Sequence, residues 1–123
     1  HAKLLGSAIC YMHTAQTRSL LHRLKSDEIY HFYNGDAVAL VLLYKDGTWQ
    51  VVVLGQDYAA GQVPFFVVPR GVWQGSCLLN DGAWALMGAT LAPAFDEDDF
   101  ELGERAVLLE NFPDAREWIE RLT

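Results

Sequence analysis

The chain has 123 residues, of which 51% are hydrophobic and 20% charged, so we predict one folded domain and exclude an intrinsically disordered chain. A formal net charge of −7 argues against binding to a nucleic-acid backbone, which requires a basic surface. The two cysteines, Cys10 and Cys77, are too few for a disulfide framework and are interpreted as buried thiols. Since no signal peptide or membrane-length apolar span is evident, we expect a cytoplasmic protein without nucleic-acid or membrane partners.

From Ser7 to Leu91 the sequence consists of short apolar runs separated by turn residues, which is typical of an all-β sandwich or barrel. The aliphatic run 37–44 indicates a strand buried on both faces. The dipeptide Asp46-Gly47 predicts a hairpin with a type I′ turn. The predicted strands are 7–12, 19–24, 28–33, 37–44, 48–54, 62–69, 73–79 and 83–91.

The C-terminal part differs in character, since an acidic run at 96–99 separates the strands from two short helices. The first predicted helix is 102–109. The second begins near Pro113, a residue favoured at the first helical position. It would pack on the barrel through one apolar face, made of Trp118, Ile119 and Leu122.

Two short motifs carry the information about a site. His22 is followed by two adjacent acids, Asp27 and Glu28, and six residues separate Glu28 from Gly35. The later run Pro69 to Gln74 has the pattern Pro-x-Gly-x-x-polar. Because strands place alternate side chains on opposite faces, a few such polar groups can converge inside a small barrel.

These motifs resemble those of the cupin superfamily, which are His-x-His followed by Glu and Gly, and Pro-x-Gly-x-x-His. The runs HRLKSDEIYHFYNGD, VVPRGVWQG and FELGERAVLLENFP resemble more closely a family of small cupins described by similarity to dTDP-sugar 3,5-epimerases. The resemblance implies a homodimeric, all-β cupin double-stranded β-helix (jelly roll) with a pocket at one mouth and short C-terminal helices. We therefore expect a single cupin domain over 1–123, with the barrel at about 4–94 and the helical segment at about 98–123.

The sequence departs from the cupin pattern at three positions. Leu20 stands where the first histidine of the pair would be. Five residues separate His22 from Glu28, one more than the pattern allows, so Asp27 competes with Glu28 for the inward place. Gln74 replaces the second-motif histidine, and a neutral amide is a poor metal ligand. A site of three histidines and one carboxylate is therefore not encoded.

We expect His22 to line the pocket as a general base or as a metal ligand, because an imidazole transfers protons near neutral pH. One of the two acids would orient His22 or bind substrate, and the spacing to Gly35 favours Glu28 over Asp27. His13 has no ligand spacing and is interpreted as a loop residue.

The other candidate ligand contacts follow from strand parity. Tyr30 and Phe32 share the face of Glu28, whereas His31 turns inward only if Asp27 is the inward acid. Gln74 would orient a ligand through its amide, and Lys25 and Arg70 lie in turns where they could receive an anionic group or simply be solvated.

Three functions remain open, each with a small sugar-like molecule or organic acid as ligand. The first is an isomerase, epimerase or lyase with His22 as base beside Asp27 or Glu28. The second is a metal-dependent oxygenase or hydrolase that holds Fe, Mn, Zn or Ni with His22, Glu28 and Gln74. The third is a non-catalytic binding module, which the reduced histidine set favours.

Overall fold

The computed structural model describes residues 4–123. Within this range nine strands form two sheets, and two short α-helices follow them. The strands are β1 (Ser7–Thr14), β2 (Arg18–Arg23), β3 (Asp27–Gly35), β4 (Val38–Leu43), β5 (Trp49–Leu54), β6 (Phe65–Val68), β7 (Trp73–Leu78), β8 (Trp84–Ala92) and β9 (Glu101–Leu102), and the helices are α1 (Arg105–Asn111) and α2 (Arg116–Arg121). Single 3-10 turns lie at Tyr58–Ala60, Glu97–Asp99 and Pro113–Ala115. Neither α-helix of this range combines the length and apolar composition that crossing a bilayer requires.

The two sheets pack face to face. One has the strand order β1-β8-β3-β6 and the other β5-β4-β7-β2-β9, with every neighbouring pair antiparallel. The inner faces form one apolar core, which includes Phe32, Leu40, Leu42, Val68 and Met87. The chain is therefore an all-β jelly roll with short C-terminal helices, as the sequence predicts.

The central strand β4 shows why this sequence needs two apolar layers. All of its residues are buried, because Leu40 and Leu42 face the core between the sheets while Val41 and Leu43 face a second cluster. The helices cover that second cluster, and Ile119 is fully buried in it. The continuous aliphatic run thus has an apolar partner on both sides, and the prediction from its pattern is confirmed.

The start of the first helix differs from the prediction. The sequence pattern placed it at Leu102, but Glu101 and Leu102 form β9, and Leu102 pairs with His22 of β2. The helix begins only at Arg105, after Gly103 has donated its N–H to the chain of β2. Strand pairing with a distant residue therefore overrides the local helical pattern, and it brings this segment beside His22.

The Asp46-Gly47 hairpin forms, but the predicted type I′ geometry was wrong. Gly47 has a φ of +91° and donates its N–H to the Tyr44 carbonyl at 3.0 Å, whereas Asp46 does not have a positive φ. This arrangement corresponds to a three-residue hairpin loop with glycine in the left-handed position. Two consecutive positive φ values occur instead at Asn80 (50°) and Asp81 (58°).

One of the two cysteine predictions was also wrong. Cys77 is buried between the second sheet and the helices, but Cys10 is exposed. Cys10 lies on β1, an edge strand, and alternation places it on the opposite face from the buried His13.

Gly35 ends β3 where a side chain would be doubly unfavourable, since its φ is +104° and a Cβ would lie 2.4 Å from the Trp84 carbonyl oxygen. We expect Gly35→Ala to lower the free energy of unfolding by about 2–4 kcal/mol in urea denaturation. Gly47→Ala is the matched control, because its φ is +91° and nothing lies within 4 Å of the added Cβ. It should cost only about 1–2 kcal/mol. Equal losses would show that the close approach to Trp84 has no energetic effect.

Candidate functional site

A cavity of about 700 Å³ opens between the two sheets, where β1, β3 and β8 face β2 and β9. This volume lies within the range of small-molecule sites, about 300–1,000 Å³. A few polar side chains project into it, among them His22 and Glu28. The walls are mainly aliphatic and aromatic, with Ile9, Leu20, Leu24, Leu91, Phe95 and Phe100 as examples. The cavity is therefore apolar with a small number of groups capable of chemistry.

His22 is held in one orientation by its neighbours. It lies on β2 between Gln74 of β7 and Leu102 of β9, and its ring stacks on Phe100 at 5.1 Å with an interplanar angle of 19°. Its Nδ1 lies 2.7 Å from the carbonyl oxygen of Leu20. Because a carbonyl can only accept, Nδ1 carries the proton and Nε2 is the basic nitrogen of the neutral ring.

Burial keeps this imidazole uncharged. Desolvation lowers the pKa of His22 below its ordinary value, and the hydrogen bond to the Leu20 carbonyl only partly opposes that shift. Near neutral pH the side chain is therefore a neutral base rather than a cation.

Glu28 faces the same cavity from the opposite sheet. It is 7% exposed, and alternation along β3 places it on the same face as Tyr30. The Tyr30 hydroxyl donates to Gln74 Oε1, and both side chains hydrogen-bond to the Glu28 carboxyl group. Glu28 Oε1 is nevertheless buried without a partner among the described residues. One carboxyl oxygen is thus anchored, and the other is unsatisfied.

Burial shifts the pKa of this carboxyl group upward, whereas it shifts the pKa of His22 downward. Desolvation raises the pKa of Glu28, and hydrogen bonding with Tyr30 and Gln74 offsets this only in part. The protonated form of Glu28 therefore persists to a higher pH than for an exposed glutamate.

His13 and Tyr11 belong to the site, although the sequence interpretation placed His13 in a loop. That interpretation was wrong, since β1 continues to Thr14 and His13 lies in the cavity wall at 3% exposure. His13 Nε2 is 2.9 Å from Ser76 Oγ, whereas Nδ1 is buried without a partner in the described part of the chain. Burial lowers the pKa of His13, and burial together with the Glu28 charge raises that of Tyr11. Strand alternation places Tyr11 and His13 on the same face and could have predicted this position. It was missed because the predicted strand ended at Met12.

Three of the predicted contact residues lie away from the cavity. Asp27 is exposed, and its Oδ1 accepts the Arg70 backbone N–H at 2.8 Å. Lys25 and Arg70 are also exposed, and neither lines the cavity. Glu28, which the spacing to Gly35 favours, is therefore the inward acid, and the candidate roles of Asp27 as a site acid and of Lys25 and Arg70 as ligand contacts are corrected. Among the lining residues described, the one guanidinium group belongs to Arg18.

The remaining predicted residues follow from the inward position of Glu28. Tyr30 lines the cavity, and Phe32 belongs to the apolar core further along the strand. His31 has the opposite parity, with its Nε2 at 3.1 Å from Thr90 Oγ1 and its ring parallel to that of Tyr33. This position does not support the predicted ligand contact of His31.

The predicted metal ligands His22, Glu28 and Gln74 do not fit a cupin metal centre. Gln74 Oε1 accepts the Tyr30 hydroxyl, and Gln74 lies behind the cavity rather than in its lining. Within residues 4–123 no three His, Cys, Asp or Glu side chains are placed to hold a metal ion. Metal sites in proteins normally use three or more such ligands. Metal content remains a prediction that elemental analysis of the purified protein tests.

The buried histidines and Glu28 should give folding stability a pH dependence of two opposite signs. The lowered pKa of His13 and His22 means that the unfolded chain binds protons more readily, so their contribution to stability is lost as pH falls below 6.5. The raised pKa of Glu28 means that its contribution is lost as pH rises above 4.5. The melting temperature of the double variant His13→Gln/His22→Gln should therefore rise relative to that of the wild type as pH decreases. The melting temperature of Glu28→Gln should rise relative to that of the wild type as pH increases. Parallel curves for the three proteins would contradict this.

The jelly roll, with a cavity between its sheets that is lined by two histidines and a glutamate, defines a protein of the cupin class. A family model confirms this assignment, since Cupin_5, described as Cupin superfamily (DUF985), matches residues 1–103. The chain belongs to this family.

Solved structures agree in fold. A protein from Shewanella oneidensis, determined by X-ray crystallography, is 33% identical with a TM-score of 0.92, and the match covers 99% of this chain and 77% of that one. A hypothetical protein from Leishmania major is 27% identical with a TM-score of 0.91, over 98% of this chain and 77% of that one. A dTDP sugar isomerase from Desulfovibrio desulfuricans is 15% identical with a TM-score of 0.69, over 84% and 67% respectively, which supports the fold alone. No curated protein is significantly similar in sequence.

Proposed function

We propose that the protein binds a small organic molecule in the cavity and moves protons on it as an isomerase, epimerase or lyase. His22 is the general base, and Glu28 is the general acid. The observation that carries this proposal is that His22 and Glu28 are both buried in the lining of one mainly apolar cavity. Burial lowers the pKa of His22 and raises that of Glu28. It favours the neutral imidazole, which accepts a proton, and the neutral carboxyl group, which donates one.

The geometry supports these roles. The Leu20 carbonyl holds the Nδ1 proton of His22, so Nε2 is the nitrogen that accepts a proton from a ligand. Phe100 stacks on the ring and limits its rotation. Tyr30 and Gln74 fix the carboxyl group of Glu28 and leave Oε1 without a partner, so a ligand carbonyl or hydroxyl group would satisfy it.

Likeness in fold adds a limited argument. The Desulfovibrio desulfuricans neighbour is a dTDP sugar isomerase, so this scaffold can host isomerisation. A shared fold does not transfer a substrate, however, because function depends on the groups of the site. The proposal therefore rests on His22 and Glu28 rather than on the neighbour.

Solvent deuterium exchange tests the proposal without a known substrate. The protein is incubated in D₂O with a panel of keto acids and keto sugars, and proton NMR follows the loss of the signal next to the carbonyl group. We expect catalysed exchange that His22→Gln slows by about 100-fold or more. The matched control is His31→Gln, which should exchange at the wild-type rate because His31 lies on the other face of β3. A panel member that raises the melting temperature without exchanging would instead support the non-catalytic binding module.

The homodimer implied by the cupin resemblance is a further part of this proposal. Exposed apolar side chains on the outer face of the first sheet support it, among them Tyr33, Phe65 and Val67. Light scattering at several concentrations should give twice the chain mass. A constant monomer mass would contradict it.

A further inference from the structure

The cavity carries an acid at its buried end and a cation at its mouth, and its walls are mainly apolar. Glu28 is buried, at 7% exposure, whereas Arg18 lines the cavity but is exposed. We infer that the ligand is a mainly apolar organic monoanion, with its carboxylate at Arg18 and an uncharged hydroxyl or carbonyl group at Glu28. This inference rests on the proposed function and specifies its ligand as an organic acid rather than a sugar nucleotide.

The walls argue against a sugar. Between the two polar ends the cavity is lined by side chains such as Ile9, Leu20, Leu24, Leu91 and Phe95, which neither donate nor accept hydrogen bonds. A sugar ring carries a hydroxyl group on most of its carbons, and each one buried without a partner costs free energy. An aliphatic or aromatic ligand has no such hydroxyl groups to bury, and the removal of its apolar surface from water favours binding.

The charge at the mouth fits one negative group. Arg18 forms no ion pair with another described residue, whereas the neighbouring Arg23 is engaged by Glu101 at 2.9 Å and lies over the Trp73 ring. A single free guanidinium group matches one carboxylate, while a diphosphate needs several cationic groups.

The buried end fits an uncharged group. Glu28 Oε1 is buried without a partner in the described part of the chain, so a hydroxyl or carbonyl group that reaches this end gains a hydrogen bond. A second carboxylate there would lose its hydration in an apolar surrounding, which costs far more free energy than burying an uncharged group. A monoanion therefore enters with its uncharged end first.

Four probes separate these requirements in isothermal titration calorimetry. These are 3-(4-hydroxyphenyl)propionate, which has both ends, 3-phenylpropionate, which lacks the hydroxyl group, 3-(4-hydroxyphenyl)propan-1-ol, which lacks the carboxylate, and dTDP-glucose. We expect the first acid to bind most tightly, and Arg18→Gln to weaken it about ten- to a hundredfold. Arg18→Gln should leave the affinity of the alcohol unchanged, because the alcohol has no carboxylate to pair with Arg18. The control Arg116→Gln, an exposed arginine on α2, should change neither.

The results distinguish this inference from the proposed function. Preferential binding of dTDP-glucose, acid affinity that is unchanged in Arg18→Gln, or no binding of either acid would overturn the monoanion assignment. Each of these can coexist with deuterium exchange that depends on His22. Conversely, acid binding that depends on Arg18 without any exchange would support the ligand class and overturn the catalytic role of His22.

Discussion

Glu28→Gln is expected to slow proton transfer by about 100- to 10,000-fold while the cavity still binds its ligand. Glutamine keeps the size of the side chain and can still hydrogen-bond with Tyr30 and Gln74, but its amide has no acidic proton to transfer to the substrate. Exchange rates in D₂O measure the first effect, and titration of the ligand measures the second. A loss confined to the rate would identify Glu28 as an acid rather than as a binding residue.

The adjacent acid provides a matched control. Asp27 is exposed and accepts the Arg70 backbone N–H on the other side of β3, so Asp27→Asn should leave the rate within about twofold of the wild type. A Glu28→Gln rate as high as this control would contradict the role of Glu28. A drop in both variants would indicate damage to the start of β3 instead.

The pH profile gives a second readout of the same change. Activity needs His22 without its second proton and Glu28 with its proton, so the wild-type profile should be bell-shaped. The lowered pKa of His22 and the raised pKa of Glu28 both increase the fraction of protein in this doubly neutral form. In Glu28→Gln the limb that reports loss of the Glu28 proton should disappear, while the limb of His22 remains.

Strand parity explains how much of this site the sequence predicts. Alternation along β3 assigns Glu28 and Tyr30 to one face and His31 to the other, and the spacing to Gly35 favours Glu28 over Asp27. The structure has this arrangement. A local pattern was sufficient here because orientation within one strand is a property of that strand alone.

The rest of the site depends on contacts between distant segments. His13 enters the cavity because β1 pairs with β8 as far as Thr14, and Phe100 stacks on His22 because the next residues form β9 beside β2. The residue pattern within one segment cannot predict these pairings, because they join segments that are distant in sequence. The same is true of Arg18, whose position at the mouth depends on the packing of one sheet on the other.

The C-terminal residues complete the strand that carries His22. The register between β2 and β7 shifts between Ser19 and His22. At Leu21 the backbone N–H donates to the Leu122 carbonyl at 2.9 Å, and the carbonyl accepts the Gly103 N–H at 2.8 Å. The helical end of the chain therefore supplies backbone partners to β2 directly beside the proposed base.

Leu122→Ala should consequently be among the most destabilising substitutions in the helical segment. The Leu122 side chain is fully buried against Leu21, with its Cδ1 3.1 Å from the position that a Cβ on Gly75 would occupy. Such tight packing leaves little room for collapse around a cavity, so we expect a loss of about 2–5 kcal/mol in urea denaturation. Val107→Ala is the control, because Val107 is 48% exposed and should cost less than about 1 kcal/mol. Because this contact supports β2 from its outer face, Leu122→Ala should also weaken ligand binding in protein that is still folded. An unchanged affinity would show that the helices do not affect the site.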